Sequence, residues 1–591
     1  MDPDRIAKQM LAMAEVLRTQ SPPKLKMAMK CVRGALKLQL SKETQSHCHL
    51  QLGKMLFYYT DHFEAAKYHL KLAYDELMLM GDFYIFRRLD ALCLICELYI
   101  HSRRWSTSDI ENCIREEMRV AKSYPHYYFK LLFYFIEATY IVDDIGAAVD
   151  ACAVGLQMID RNNKPMELYL RITRTLISYQ LAREEPDQAD LSRIGAMIKE
   201  MEHDPSMGFH LKNIKGFFMC TKLAFMISQG QSRTSRTLLR QIQAEVSLQK
   251  DQAPPVPGMR WMDDKAMTVF ACVMNVIGAH VQGGYDRALK YHNIAIKHAD
   301  DVIHKSTNTP QEFGVVRCVS HMKMVSLELM SLMNVMACRP NLVLCNLQEM
   351  LYFSSKLGST NVYEEYAPQI HYVLGMQSLY LNHYDVAITH FSEALKMTPI
   401  KGRHFDSLAL LRINLGFTYL NQMNMGAYYD ISDELSPAKI AKCSPMVQNC
   451  HKIMVAFFDF LNQRSASSKQ LAQEGLQAAK AEDFFRLHSL CLLMLTNLMP
   501  VDEAMIKPTV DFSKKSHDHA FALWGHTVYK KILETANRDP GDCAAEIQKS
   551  MESLNNDNLI SALGQTPAAN LLQWFGGSPF DYLPKEDALL I

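Results

Sequence analysis

Apolar residues recur at spacings of three and four along almost the whole chain, and no convincing series of segments alternates in the strand period. Leu89, Leu92, Cys93, Cys96, Tyr99 and Ile100 show the pattern, which turns one side of a helix toward a core at every turn. Breakers are short and dispersed: Ser21-Pro22-Pro23, Gly81-Asp82, Tyr124-Pro125, Glu185-Pro186-Asp187, Gly283-Gly284, Thr398-Pro399, Ser436-Pro437 and Asp539-Pro540-Gly541. Only 249–260, with Pro254-Pro255 and Pro257-Gly258, reads as a long loop. The chain is therefore all-α, with helices of about 12 to 20 residues joined by brief turns.

A length of 591 residues would allow about four domains, yet no composition shift marks their boundaries. Repeats account for the length better. A tetratricopeptide unit is a helix pair of about 34 residues with small residues where its two helices cross. If Leu374-Gly375 is the Leu-Gly pair, Ala387, Phe391, Ala394 and Pro399 follow in register, while Ser378 replaces the expected aromatic. Weaker copies start at Leu52-Gly53, leading to Ala66, Leu70 and Ala73, and at Gly284-Tyr285, leading to Ala288 and Ala295. Gly146-Ala147-Ala148 with Cys152 and Gly155, and Leu415-Gly416 with Tyr419, extend the series irregularly. The expected architecture is a tetratricopeptide-like helical-repeat solenoid, continuous over 1–548, with its clearest repeats at 50–80, 270–298, 365–400 and 405–430. Each pair exposes an apolar face that only its neighbour covers. Residues 549–591 read as a C-terminal tail with room for partial disorder.

Composition removes several function classes. The 63 Lys and Arg balance 63 Asp and Glu, which argues against a chain-wide grip on phosphates, since that needs excess cations. The most apolar stretch, 127–142, carries Lys130 and Glu137 inside it and does not suit a membrane helix. The N-terminus disperses Asp2, Asp4, Lys8 and Glu15 where a signal peptide would hold a clean apolar block. The chain reads as intracellular, and its 15 scattered cysteines as reduced, buried thiols.

No site for chemistry emerges. Cys93-Leu94-Ile95-Cys96 has redox or zinc spacing, but it lies in an apolar helical run without a second such pair, which favours core thiols. Adjacent residues of a helix point to different sides, so His47-Cys48-His49 does not converge on a metal. Phosphate loops, HExxH and nucleophile elbows are absent. No cofactor is expected, and the chain reads as a non-enzyme.

Surfaces for partners are the remaining candidates. Lys26, Lys30, Arg33 and Lys37 fall four, three and four apart and form a basic stripe on a helix after Pro23. The stripe reads first as a solvated face, and second as a dock for an acidic segment or for DNA phosphates. The 36 methionines suit both core gaps and adaptable binding surfaces. In tetratricopeptide folds the first helix of each pair lines the groove. The groove candidates are Phe57 and Tyr58; Tyr372, Met376, Leu379 and Tyr380; and Ile413, Phe417 and Leu420. Such side chains suit an extended hydrophobic partner, although packing on the next repeat would use the same residues. Tyr372 and Met376 occupy places where a chaperone-tail carboxylate clamp needs Lys and Asn.

Several islands go beyond a generic solenoid. Ser21-Pro22-Pro23-Lys24 is followed by His49-Leu50-Gln51-Leu52-Gly53, Tyr58-Tyr59-Thr60, and His69-Leu70 with Ala73. Later come Gln282-Gly283-Gly284-Tyr285 with Ala288 and Lys290-Tyr291, and Gln369-Ile370-His371 with Leu374-Gly375. Ala481-Glu482-Asp483 with Arg486-Leu487, and Leu523-Trp524, complete the set. In order and spacing the chain resembles the Mau chromatid-cohesion factor family from near residue 15 to about 535, but departs from it over 426–450 and after Met551.

The resemblance implies the tetratricopeptide subunit of the cohesin loader, pairing with the large Nipped-B-like subunit by wrapping that partner's extended N-terminal segment. It further implies a role in loading cohesin onto chromatin for sister-chromatid cohesion and chromosome segregation, with links to cell and axon migration in development. Nuclear, chromatin-associated localisation follows, with room for a cytoplasmic pool. Cohesin and chromatin would be reached indirectly, and direct DNA binding is not expected. The alternative is a cytoplasmic tetratricopeptide adaptor for a motor or chaperone complex.

Overall fold

The structure, a computed structural model, describes all residues except 1, 61, 103–106, 161–162, 183–187, 205–207, 230, 248–260, 263, 307–312, 357–359, 400–404, 482–483, 565, 567 and 584–591. The loop expected at 249–260 lies outside the described residues. Among the described residues the chain is helical throughout, with short 3-10 turns and no strand. It divides into two units, the first built from residues up to Leu181 with the short segments 308–313 and 358–361, and the second from the remaining residues after Leu181.

In the first unit, antiparallel pairs follow one another: Pro3–Thr19 with Leu25–Ala35, Lys42–Tyr59 with Phe63–Leu79, and Pro125–Ile141 with Ile145–Gln157. Local chemistry sets the helix ends. Asp2 and Ser41 accept backbone N–H bonds at their helix starts, Asp144 accepts from the Ala147 N–H at 3.0 Å, and Pro125 occupies a first turn where its missing N–H costs nothing. The expected crossing of small and large residues occurs here. A Cβ on Gly53 would lie 2.7 Å from Leu70 Cγ, and one on Gly155 2.4 Å from Leu132 Cδ2. Gly146, by contrast, faces no close neighbour other than Asp144.

The second unit repeats the arrangement with Asp264–Gln282 and Tyr285–Ser306, Phe313–Met336 and Pro340–Lys356, Thr360–Tyr380 and Tyr384–Met397, and so on to His519–Thr535. A Cβ on Gly375 would meet the fully buried Phe391 ring at 2.6 Å. Gly416 takes up the same role toward Met454, which belongs to the first helix of the next pair rather than to its own partner helix. Turns within the pairs share one device: a residue with positive φ one or two positions past the first helix. Gly283, Cys338, Asn382, Met423 and Gln463 all hold it in this unit, and only one of them is glycine.

Within this unit the array of first helices curls until distant members touch. Asp264–Gln282 contacts Phe485–Thr496, and the Tyr285 and His517 rings lie 4.9 Å apart. Gly283 is required at the junction twice over: its φ is +68°, and any Cβ would sit 2.2 Å from the Phe512 ring.

The segment read as a tail is packed where it is described. Leu559, Leu563, Leu571 and Trp574 are buried in a core shared with Leu347, Ile370 and Val373. Trp574 is 1% exposed and stacks on His371 at 4.0 Å, while His390 Nε2 lies 3.1 Å from the Leu572 carbonyl. His371 and His390 also bond each other, Nδ1 to Nδ1 at 3.0 Å. His49 and His69 form the equivalent pair at 2.9 Å in the first unit, and His49 and His371 each lie four residues before their glycine.

Two outcomes are expected. Gly375→Ala overpacks the Phe391 contact and costs about 1–3 kcal/mol, read as a lower thermal midpoint than wild type. Trp574→Ala empties a buried site at about 3–5 kcal/mol and opens the segment after Asn556 to limited proteolysis.

Candidate functional site

The first helices of the second unit share a feature that fits partner binding better than chemistry. Each has a stripe of half-buried residues at helical spacing: Val325, Glu328 and Leu332 on Phe313–Met336, and Gln369, Tyr372, Met376 and Tyr380 on Thr360–Tyr380. Asn414 and Phe417 continue it on Phe405–Asn421, then Cys450 and Arg486 on the two helices beyond. These side chains belong to one surface. Tyr372 sits among Asn414, Cys450, Arg486 and Glu328, and burial pushes its hydroxyl up to about 12. Arg486 donates to the Tyr380 hydroxyl across 106 residues of sequence.

Arg486 is held as well as placed. Its guanidinium lies 5.9 Å from the Phe521 ring centre, and its Nε is 3.6 Å from Asp518 Oδ2. Its side chain still keeps 39% of its surface. Asp518 is buried beneath it and caps the helix His519–Thr535 by accepting from the Phe521 N–H. The wall is thus aromatic, thioether and amide in character, with a fixed guanidinium and a carboxylate. That composition suits extended polypeptide better than a small charged substrate.

The structure sorts the sequence candidates. Tyr58, Tyr372, Met376, Leu379, Tyr380 and Phe417 are half-buried and keep part of their surface exposed. Phe57, Ile413 and Leu420 are 1%, 2% and 1% exposed and are corrected to core residues. Their neighbours one position away take the outward direction, because a single residue turns a helix by about 100°. Tyr58 is itself engaged, donating to Glu97 at 2.9 Å. Sequence reading missed Glu328, Asn414 and Arg486. Helical phase alone could have found them, since each lies on the same stripe as its half-buried neighbours.

Lys26, Lys30 and Arg33 lie exposed on Leu25–Ala35, and Lys37 is exposed just beyond the end of that helix. None of the four makes an ion pair among the described residues. Cys93 and Cys96 are 1% exposed, and burial raises both thiols, Cys93 to about 12. His49 pairs with His69 rather than with His47 or Cys48. Among the described residues no group of three or more metal-ligating side chains converges, and no helix is long and apolar enough to cross a membrane. Of the methionines, Met324, Met330 and Met333 are core, whereas Met13 and Met423 are exposed.

Known proteins match along nearly the full length. A family model described as cohesin loading factor covers residues 7–539. Maternal uncoordinated protein 2 of Caenorhabditis elegans is 44% identical over 597 residues, covering 100% of both chains. The MAU2 chromatid cohesion factor homolog of Aedes aegypti is 24% identical over 96% of this chain and 92% of its own. Among solved structures, Scc4 in complex with Scc2n superposes with a TM-score of 0.55 at 7% identity, over 95% of this chain and 99% of that one. That last likeness is one of fold. It agrees with the all-α tetratricopeptide-like reading.

The thiol environments carry a testable consequence. At pH 8 an aromatic disulfide reagent labels the exposed Cys345 in the native protein. Cys93 and Cys96 react only after denaturation, because the thiolate is the nucleophile and burial suppresses it.

Proposed function

Since this chain belongs to the cohesin loading factor family, we propose that it is the non-enzymatic scaffold subunit of a cohesin-loading complex. It encloses the extended N-terminal segment of the large Nipped-B-like subunit and so promotes cohesin loading for sister-chromatid cohesion and chromosome segregation. The single observation that carries this reading is the continuous half-buried stripe across consecutive first helices, from Val325 through Tyr372 and Tyr380 to Arg486.

The physical logic is one of ordering cost. A flexible segment loses conformational entropy when it is captured, so tight binding needs a long surface that contacts it along its length. A repeat array supplies such a surface from residues far apart in sequence. Aromatic side chains offer large contact area with few rotatable bonds, which keeps the ordering cost on this side low. The matched charge totals of the chain put the burden of chromatin contact on the partners. Nuclear residence follows from the complex. The exposed stripe from Lys26 to Lys37 is a solvated face in this reading.

Affinity purification of the endogenous protein is expected to recover one very large partner in near-equal amount. Tyr372→Ala with Met376→Ala weakens that recovery about tenfold or more. Both side chains also pack beside Phe391, so circular dichroism at the assay temperature checks that the double variant stays folded. Absence of the large partner sinks the proposal. A transport defect with normal cohesion after depletion supports the motor or chaperone adaptor instead.

A further inference from the structure

Among the described residues, Glu328 is a carboxylate of this stripe that no protein group answers. It lies on Phe313–Met336 in the half-buried stripe between Val325 and Leu332, with Tyr372 of the next first helix beside it. It makes no hydrogen bond and no ion pair among the described residues. The cation on the same helix, Lys323, is committed elsewhere, to Asp300 at 2.7 Å and Glu349 at 2.8 Å. Arg486 is held by Tyr380 and faces Asp518. Nothing near Glu328 offsets the loss of water, and burial alone raises its carboxyl to about 7.

A second acceptor on the neighbouring helix is more deeply buried than the half-exposed Glu328 carboxylate. Gln369 lies one turn before Tyr372 on the same stripe, and its buried Oε1 has no partner. A buried acceptor without a donor is costly, and a carboxylate that loses only part of its water among apolar neighbours also gains from a donor. A ligand that supplies a donor to both positions removes that cost. The missing group must be a donor, and opposite charge gives a charge-assisted bond about twice as strong as a neutral one.

We infer that Glu328 is the acceptor for a lysine or arginine side chain of the enclosed segment, and that this contact fixes the register of the segment along the second unit. The inference rests on the enclosure reading above. It adds a requirement that apolar complementarity does not impose, namely a basic residue at one position of the partner. The aromatic and apolar neighbours, Tyr372, Val325 and Leu332, would cover its methylene stem while the carboxylate takes its charged head.

The test uses the full chain and a synthetic peptide spanning the N-terminal segment of the large loader subunit, with each Lys and Arg replaced in turn by Gln. Glu328→Gln keeps the shape of the side chain and removes its charge. It is expected to weaken wild-type peptide about 5- to 20-fold with no loss of melting temperature. One peptide substitution should give the same loss, and the two losses should not add, which is the signature of a direct pair. Additive losses at every Lys and Arg, or unchanged affinity for Glu328→Gln, overturn the inference while the enclosure reading stands. If wild-type protein does not bind the peptide at all, the enclosure reading itself fails.

Discussion

Each helix pair in this chain leaves an apolar face that only the next pair covers, and the architecture depends on how closely the two can approach. At the closest crossings no side chain fits: Gly53 against Leu70, Gly375 against Phe391, Gly416 against Met454. A methyl group there would push helices apart by more than a packed interior tolerates. The stacking propagates because the contacts run between pairs as well as within them. Gly416 reaches the next pair, and Gly283 allows helices more than 200 residues apart to meet at Phe512.

Once the first helices are packed side by side, their remaining half-buried stripes form a surface that no single repeat possesses. Polar groups on that surface are few and individually placed. Arg486 is fixed by Tyr380 and Phe521, whereas Glu328 has no hydrogen-bond or ion-pair partner among the described residues. The first is preorganised by its neighbours, and the second is the group proposed above to meet a basic residue of a partner. Such a division fits a subunit whose work is to hold another protein's extended segment, with affinity from apolar contact and register from isolated charges.

Much of this was legible in the residues. Three of the islands that carried the family resemblance coincide with close contacts. His49 to Gly53 and His371 to Gly375 hold the paired histidines and the crossing glycines, and Gln282-Gly283-Gly284-Tyr285 makes the junction with Phe512 and His517. Repeat boundaries were harder to see because the positive-φ stop is Asn382, Met423 or Gln463 as readily as glycine; one strained residue per turn costs only about 1–2 kcal/mol. The groove residues split for a similar reason. Ile413 and Leu420 share the apolar character of Phe417, and only the phase of the helix against its neighbours decides which side is covered.

Sequence alone determined the all-α repeat class, the family and the absence of any motif for catalysis, because helical period, crossing glycines and colinear islands are local properties of the chain. Tertiary structure decided which stripe residues remain half-buried, that Arg486 meets Tyr380, and that Trp574 closes over His371 near the far end of the chain. These are contacts across about one hundred to two hundred residues. Their existence depends on how many small rotations between successive pairs accumulate, and that sum is written in no single segment.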